Sequence, residues 1–306
     1  MLELSQYLHS AATLLLAVAF IANLVVVVTV GRVRVGADAE DRALVSAGGY
    51  APTPASDTQG LVGDEVPTSH RRGVGWYADR LTELGFIAVT ASLVLRAIIT
   101  GHAPFANQYE FATAFVWGVL LMYLYFEWKY KIRGMAVLVL PFAAGMLYYA
   151  SNLDQGVSPL VPALQNSPLL TLHVASAVVA YGAAAVSVAA AALYLLRPHL
   201  RWSGMPKAEI LEDISYRTIV VAFPMLTIMI VLGALWADIA WGRYWSWDPK
   251  ETAALVTWLI YGAYLHARVI GGWRGNRAAW LIVLGFAAVI FTFLGNHWFG
   301  GMHSYG

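Results

Sequence analysis

The stretch PLLTLHVASAVVAYGAAAVSVAAAALYLL, residues 168 to 196, contains no Asp, Glu, Lys or Arg. A helix rises about 1.5 Å per residue, so roughly 20 apolar residues cross a hydrocarbon core of about 30 Å. This stretch is long enough to do so. Seven more apolar runs have the same character, at 7 to 30, 80 to 100, 108 to 128, 134 to 150, 216 to 238, 252 to 270 and 278 to 296. The whole chain is 59% hydrophobic and 12% charged, against about 25% charged in an average soluble domain, so lipid is its expected solvent. The expectation is an all-α integral membrane protein, a bundle of about eight transmembrane helices.

Charge placement orients the bundle. All of the 19 Lys and Arg except Arg96, Arg243 and Lys250 fall in or beside alternate connections, and such an excess marks the cytoplasmic side. With eight spans both termini are then outside, together with the loops 101 to 107, 151 to 167 and 239 to 251. The first apolar run is long and lacks a basic leader, so it reads as a true span and not a cleavable signal. Three regions follow: residues 1 to 31 form the first span, 32 to 79 a cytoplasmic loop, and 80 to 306 a seven-helix core. The loop is rich in Gly, Ala, Pro, Asp and Ser, without a helical or strand period, and is expected to be a mobile linker. A net charge of +1 with no clustered basic face argues against a nucleic-acid partner. With no cysteine, the chain can hold neither a disulfide nor a C-x-x-C-H haem attachment site.

The chemistry concentrates in the outer connection Trp236-Ala-Asp238-Ile-Ala-Trp241-Gly-Arg243-Tyr244-Trp245-Ser-Trp247-Asp248-Pro249-Lys250-Glu251. Tryptophan favours the membrane interface because its ring is amphipathic, but that does not account for four of them so closely spaced, with Gly and Pro between. Aromatic faces with Arg243 and Lys250 nearby would make an apolar platform for a large flat ligand bearing acidic groups. His173, near the outer end of its span, and His303, in the tail Gly301-Met302-His303-Ser304-Tyr305-Gly306, fall on the same side. Neutral imidazole is a good axial ligand for haem iron, so the pair points to bis-histidine ligation of haem b. His266 lies deep in the seventh span, where an ionisable group needs a bundle interior, a cavity or a partner. Asp248, before Pro249, suits a helix N-cap. Arg96 reads either as a cation snorkelling to the interface or as a binder of a haem propionate. His9, His70 and His199 read as interface or solvated residues.

The runs Trp241-Gly-Arg-Tyr-Trp245-Ser-Trp247-Asp248-Pro249-Lys250-Glu251-Thr252, Trp258-Leu-Ile-Tyr261, Tyr264-Leu265-His266-Ala-Arg268 and the terminal Met-His-Ser-Tyr-Gly resemble the CcsA (ResC) family of system II cytochrome c biogenesis. Gly101-His102-Ala103-Pro104 and Asn107-Gln-Tyr109-Glu110 extend the resemblance to most of residues 80 to 306. The resemblance implies a cell-membrane protein that acts as a holocytochrome c synthase (haem lyase) subunit. Haem would bind an intramembrane site at His266 and pass to an outer site ligated by His173 and His303. There its vinyl groups would meet the cysteines of an apocytochrome c C-x-x-C-H. Trp241, Trp245, Trp247 and Asp248 would belong to the signature loop at the reacting site, with Trp236, Arg243, Lys250 and Arg96 as further haem contacts. A separate ResB/CcsB-like membrane protein is the implied partner. The tail departs from the family at Asn296-His297-Trp298, and His297 is the other histidine that could serve as the tail ligand. A haem exporter or chaperone of the system I type, passing haem on without attaching it, is the alternative.

Overall fold

A computed structural model describes residues 1–46, 73–157, 168–200 and 205–294. The described residues form eight α-helices: α1 Leu2–Ser46, α2 Val74–Thr100, α3 Gln108–Tyr130, α4 Ala136–Ser151, α5 Pro168–Leu196, α6 Ala208–Trp241, α7 Pro249–Val269 and α8 Asn276–Leu294. A 3-10 turn, Arg133–Met135, leads into α4. Each helix contains or overlaps one of the apolar runs. Seven are long and apolar enough to cross a membrane; α7 is not among them. Its composition explains the difference, because Thr257, Tyr261, Tyr264, His266 and Arg268 dilute its apolar positions. The expected loop at 32 to 79 begins differently from the sequence reading, since α1 continues past Gly31 to Ser46.

Successive helices run antiparallel. Ser5 bonds Ser92 at one end of the α1–α2 pair, while Leu16 lies on Gly85 further along. His173 meets Met229 and Ser187 meets Ser215 between α5 and α6. Thr257 lies beside Thr292, and the Tyr261 ring covers Gly285, between α7 and α8. Phe293 packs at 5.7 Å from Phe111 and 6.3 Å from Tyr149. The start of α1 and the end of α8 therefore share one end of the bundle with the α6–α7 connection. The opposite end carries the basic residues, with ion pairs Arg80–Glu83, Arg133–Asp79, Arg217–Asp213 and Arg268–Glu212.

The small residues of α5 explain its central position. Gly182 lies against the backbone of Gly118 on α3, and Gly118 in turn abuts the Val178 carbonyl. A Cβ at either glycine would collide with the facing backbone, and this close approach is what small residues permit between helices in lipid. Ala183, Ala184, Ala185 and Ala190 continue the buried face. Around it Phe111, Phe115, Tyr181, Phe142, Phe286 and Phe293 form a chain of stacked, tilted and edge-on rings linking α3, α4, α5 and α8.

The first half of the bundle also hides polar groups that the sequence did not predict to be buried. His9 is 1% exposed, not an interface residue. Its Nε2 is 3.0 Å from the Leu147 carbonyl, and its ring lies 5.0 Å from that of Tyr109. A carbonyl on a facing helix accepts its proton, so burial is offset by a hydrogen bond.

Candidate functional site

Helix α6 ends at Gly242, whose φ of +71° places it in the left-handed region that a residue without Cβ enters at little cost. Its N–H bonds the Asp238 carbonyl at 2.8 Å. Asp238 also bonds the Tyr244 hydroxyl, and the carboxylate raises that hydroxyl above the usual phenol range. Beyond it the chain turns through Trp245 and Trp247 into α7. Trp247 has φ +59°, unusual for a bulky side chain and costing about 1–3 kcal/mol unless its surroundings fix it.

Glu251 and Asp248 do the fixing. Glu251 accepts from the Ser246 N–H at 2.8 Å and the Asp248 N–H at 3.2 Å, while Asp248 accepts from the Lys250 N–H at 3.1 Å. Together they form a capping box on α7, with Pro249 at the first turn. The Thr252 hydroxyl holds the Trp247 carbonyl from below. Asp248 is buried, so its visible work is structural, as its position before Pro249 suggested. Sequence reasoning gave Glu251 no role, although the Asp-x-x-Glu spacing is the capping-box signal.

The four tryptophans separate into two kinds. Trp236 is 2% exposed and packs edge-on against Trp241 at 4.8 Å. Trp245 stands edge-on to Trp247 at 5.8 Å, and Trp247 itself is 69% exposed. One pair anchors the loop to α6; the other presents aromatic surface. Arg243 is exposed, and neither it nor Lys250 is ion-paired among the described residues.

His173 lies beside this loop's base. Its Nδ1 is 2.7 Å from the Met229 carbonyl of α6. A carbonyl can only accept, so Nδ1 carries the proton, and the neutral ring then presents its lone pair at Nε2. Metal-binding histidines are oriented in this way, with one nitrogen tied to a carbonyl and the other left for the metal. Gly233 makes the approach possible, since a Cβ there would sit 2.7 Å from His173 Cε1. The Lys250 ammonium is near enough to act electrostatically on the imidazole. His173 thus sits against α6 about two turns before the Trp loop, on the side of the bundle that carries it. Met229 and Gly233 escaped the sequence reading because a backbone acceptor and a missing side chain leave no local pattern.

Other expected site residues lie apart. His266 is exposed on α7, on a stripe with Val256, Leu259, Ala263 and Ile270, and its side chain has no hydrogen bond among the described residues. It does not face the bundle interior. Arg96 neither snorkels to solvent nor stands open to a propionate. It is 1% exposed, and its nitrogens bind the Glu110 carboxylate and the carbonyls of Gln155 and Gly156. His102 donates from Nδ1 to the neighbouring Ala103 carbonyl. His303, His297 and His70 lie outside the described residues.

The model of the family described as Cytochrome C assembly protein matches residues 105–303, taking in both α5 and the Trp loop. The chain belongs to the CcsA family of cytochrome c assembly proteins. It is 38% identical to a cytochrome c biogenesis protein CcsA of Guillardia theta, over 74% of this chain and 84% of that one. A CcsA of Gloeobacter violaceus is 34% identical over 79% and 88%, and one of Parasynechococcus marenigrum 38% over 74% and 85%. Its function is therefore in cytochrome c biogenesis. A CcsA protein with seven helices long and apolar enough to span is a multi-pass membrane protein.

Proposed function

We propose that this chain is the haem-holding subunit of a cytochrome c synthase. It takes haem b from the cytoplasmic side and joins it to apocytochrome c on the extracytoplasmic face, together with a ResB/CcsB-like partner. The observation that carries the reading is the His173 imidazole. Its Nδ1 proton is fixed on the Met229 carbonyl, which would leave the Nε2 lone pair for the iron of a bound haem. His303 would supply the second iron ligand. Trp245 and Trp247 cover the macrocycle, Trp236 and Trp241 anchor their loop to α6, and Arg243 and Lys250 meet the propionates. His266, exposed toward lipid on α7, is half of an intramembrane entry site that the partner completes.

The reaction is an addition. Each cysteine thiol of C-x-x-C-H gives its sulfur to one vinyl carbon and its proton to the other, so no electron is gained or lost. The chain contributes chiefly position: holding both reactants can lower the barrier by about 7–11 kcal/mol in good geometry. Asp248 and Glu251 act through the shape of the loop, as the cap that sets the tryptophans. The bound cofactor supplies the electronic reactivity of the vinyl group.

The test is co-expression with the partner and a C-x-x-C-H apocytochrome, followed by detection of haem that survives denaturation on the cytochrome band. Wild type is expected to give covalent haem, and His173→Ala and His303→Ala to lose it. Haem transferred to the apocytochrome but released on denaturation would instead identify an exporter of the system I type.

A further inference from the structure

At the same end of the bundle as the Trp loop, but in the α1–α4 half, Ser5, His9, Ser92, Arg96, Tyr109, Glu110 and Thr113 are all buried. Arg96 is the centre of this cluster. A guanidinium taken out of water costs several kcal/mol unless its charge and donors are all met. Here Nε bonds Glu110 at 2.6 Å, Nη1 the Gln155 carbonyl at 2.8 Å and Nη2 the Gly156 carbonyl at 2.6 Å, with the Tyr109 ring 4.9 Å from the guanidinium carbon. The second oxygen of Glu110 accepts from the Ala106 N–H at 2.7 Å, and Asn107 caps α3 on the Glu110 N–H.

What Arg96 ties together is more telling than what it neutralises. Apolar packing already joins the helices. The guanidinium instead gathers the last turn of α2, the connection 101 to 107, the first turn of α3 and the segment 152 to 157 that follows α4. That last segment precedes α5 in the chain, and α5 carries His173 in its second turn. Helices α3 and α5 run side by side with Gly118 against Val178 and Gly182, a register that sets Glu110 level with the first turns of α5. A planar fork holding two loop carbonyls fixes direction as well as distance, which a lysine cannot do.

We infer that Arg96, with Glu110, is a positioning residue for the haem site, holding the connections around α5 so that the His173 imidazole stands at the right place for iron without itself touching haem. The inference rests on His173 being an iron ligand, as proposed above. It also removes Arg96 from the propionate contacts and leaves that task to Arg243 and Lys250. A displacement of about 1 Å at a reacting centre can cost about a hundredfold in rate, so a distant clasp can be felt in the chemistry.

The test uses the full chain with its partner, comparing wild type, Arg96→Lys, Arg96→Gln and the exchange pair Arg96→Glu with Glu110→Arg. Three quantities are read: accumulation in membranes, the low-spin share of bound haem by electron paramagnetic resonance, and the rate of covalent attachment. Arg96→Lys keeps the charge but loses the fork. It is expected to accumulate normally, retain haem, shift part of it to high spin and attach it about tenfold more slowly or worse. Arg96→Gln should go further in the same direction, and the exchange pair should recover part of the low-spin signal. Arg96→Lys with wild-type spin state and rate would overturn the proposal, even if Arg96→Gln failed to accumulate. Wild type with no low-spin haem to begin with would instead overturn the ligand assignment of His173.

Discussion

Two polar regions share one end of this bundle and are built on opposite plans. Around Arg96 every nitrogen of the guanidinium is bound, and both oxygens of Glu110 are used. Around the α6–α7 connection the backbone is equally well held, by Glu251 and Asp248, but the side chains it displays are not. Trp247 is thrown outward from a left-handed backbone, and among the described residues Arg243 lacks an ion pair and only one imidazole nitrogen of His173 has a partner. A closed polar cluster spends its interactions on the fold. An open one, resting on a rigid frame, keeps them for a ligand, as preorganised sites do.

This contrast predicts that the two regions fail in different proportions. His173→Ala removes one hydrogen bond worth about 1 kcal/mol, so the melting temperature in detergent should hardly move. Covalent haem attachment in the co-expression assay should nevertheless fall by two orders of magnitude or more. Glu110→Ala should shift the balance toward lost stability: an arginine left buried without its partner costs about 3–5 kcal/mol, visible as a large drop in melting temperature and membrane accumulation, with attachment by the protein that does accumulate slowed far less than in His173→Ala. If both variants damaged stability and attachment equally, the two regions would not be separate in kind.

Smaller effects sharpen the point within the Trp loop. Glycine adopts positive φ without strain, so Trp247→Gly should leave stability unchanged or raise it by up to about 1 kcal/mol. Haem retained through purification should fall severalfold in the same variant. Glu251→Gln keeps the size of the side chain but weakens its bonds to the Ser246 and Asp248 N–H groups. Glutamine can still close the capping box, so the cost should stay below the roughly 1 kcal/mol of a lost cap, and haem affinity should decline modestly, read by titration of the apo-protein. The smallest change is expected for His266→Ala, whose exposed side chain contributes no bond among the described residues. Its stability and its outer-site spectrum, when haem is added from outside, should match wild type, while loading from within cells should drop.

The helices were legible because lipid imposes a simple rule: apolar runs of sufficient length. The run at 168 to 196 coincides with α5 from Pro168 to Leu196. α1 passed its expected limit because an absence of apolar periodicity does not by itself stop a helix. The frame of the Trp loop was half legible, since Asp248-Pro249-Lys250-Glu251 spells a capping box. The division of the tryptophans was not, because burial of Trp236 and exposure of Trp247 depend on a turn at Gly242 and a strained backbone that composition does not encode. The setting of Arg96 was not legible for a similar reason. Its partners come from Glu110, across a turn, and from the carbonyls of Gln155 and Gly156, far along the chain. Backbone acceptors carry no residue signature, and the same holds for Met229 and His173.

The central claim is that His173 ligates haem iron through Nε2. The most direct measurement is the optical and paramagnetic spectrum of His173→Gly, purified with its partner, before and after adding imidazole. The account predicts that the variant loses the low-spin signal and that free imidazole, entering the space left by the ring, restores it. A low-spin signal that survives the substitution with no response to imidazole would show that iron is held elsewhere, and would contradict the account.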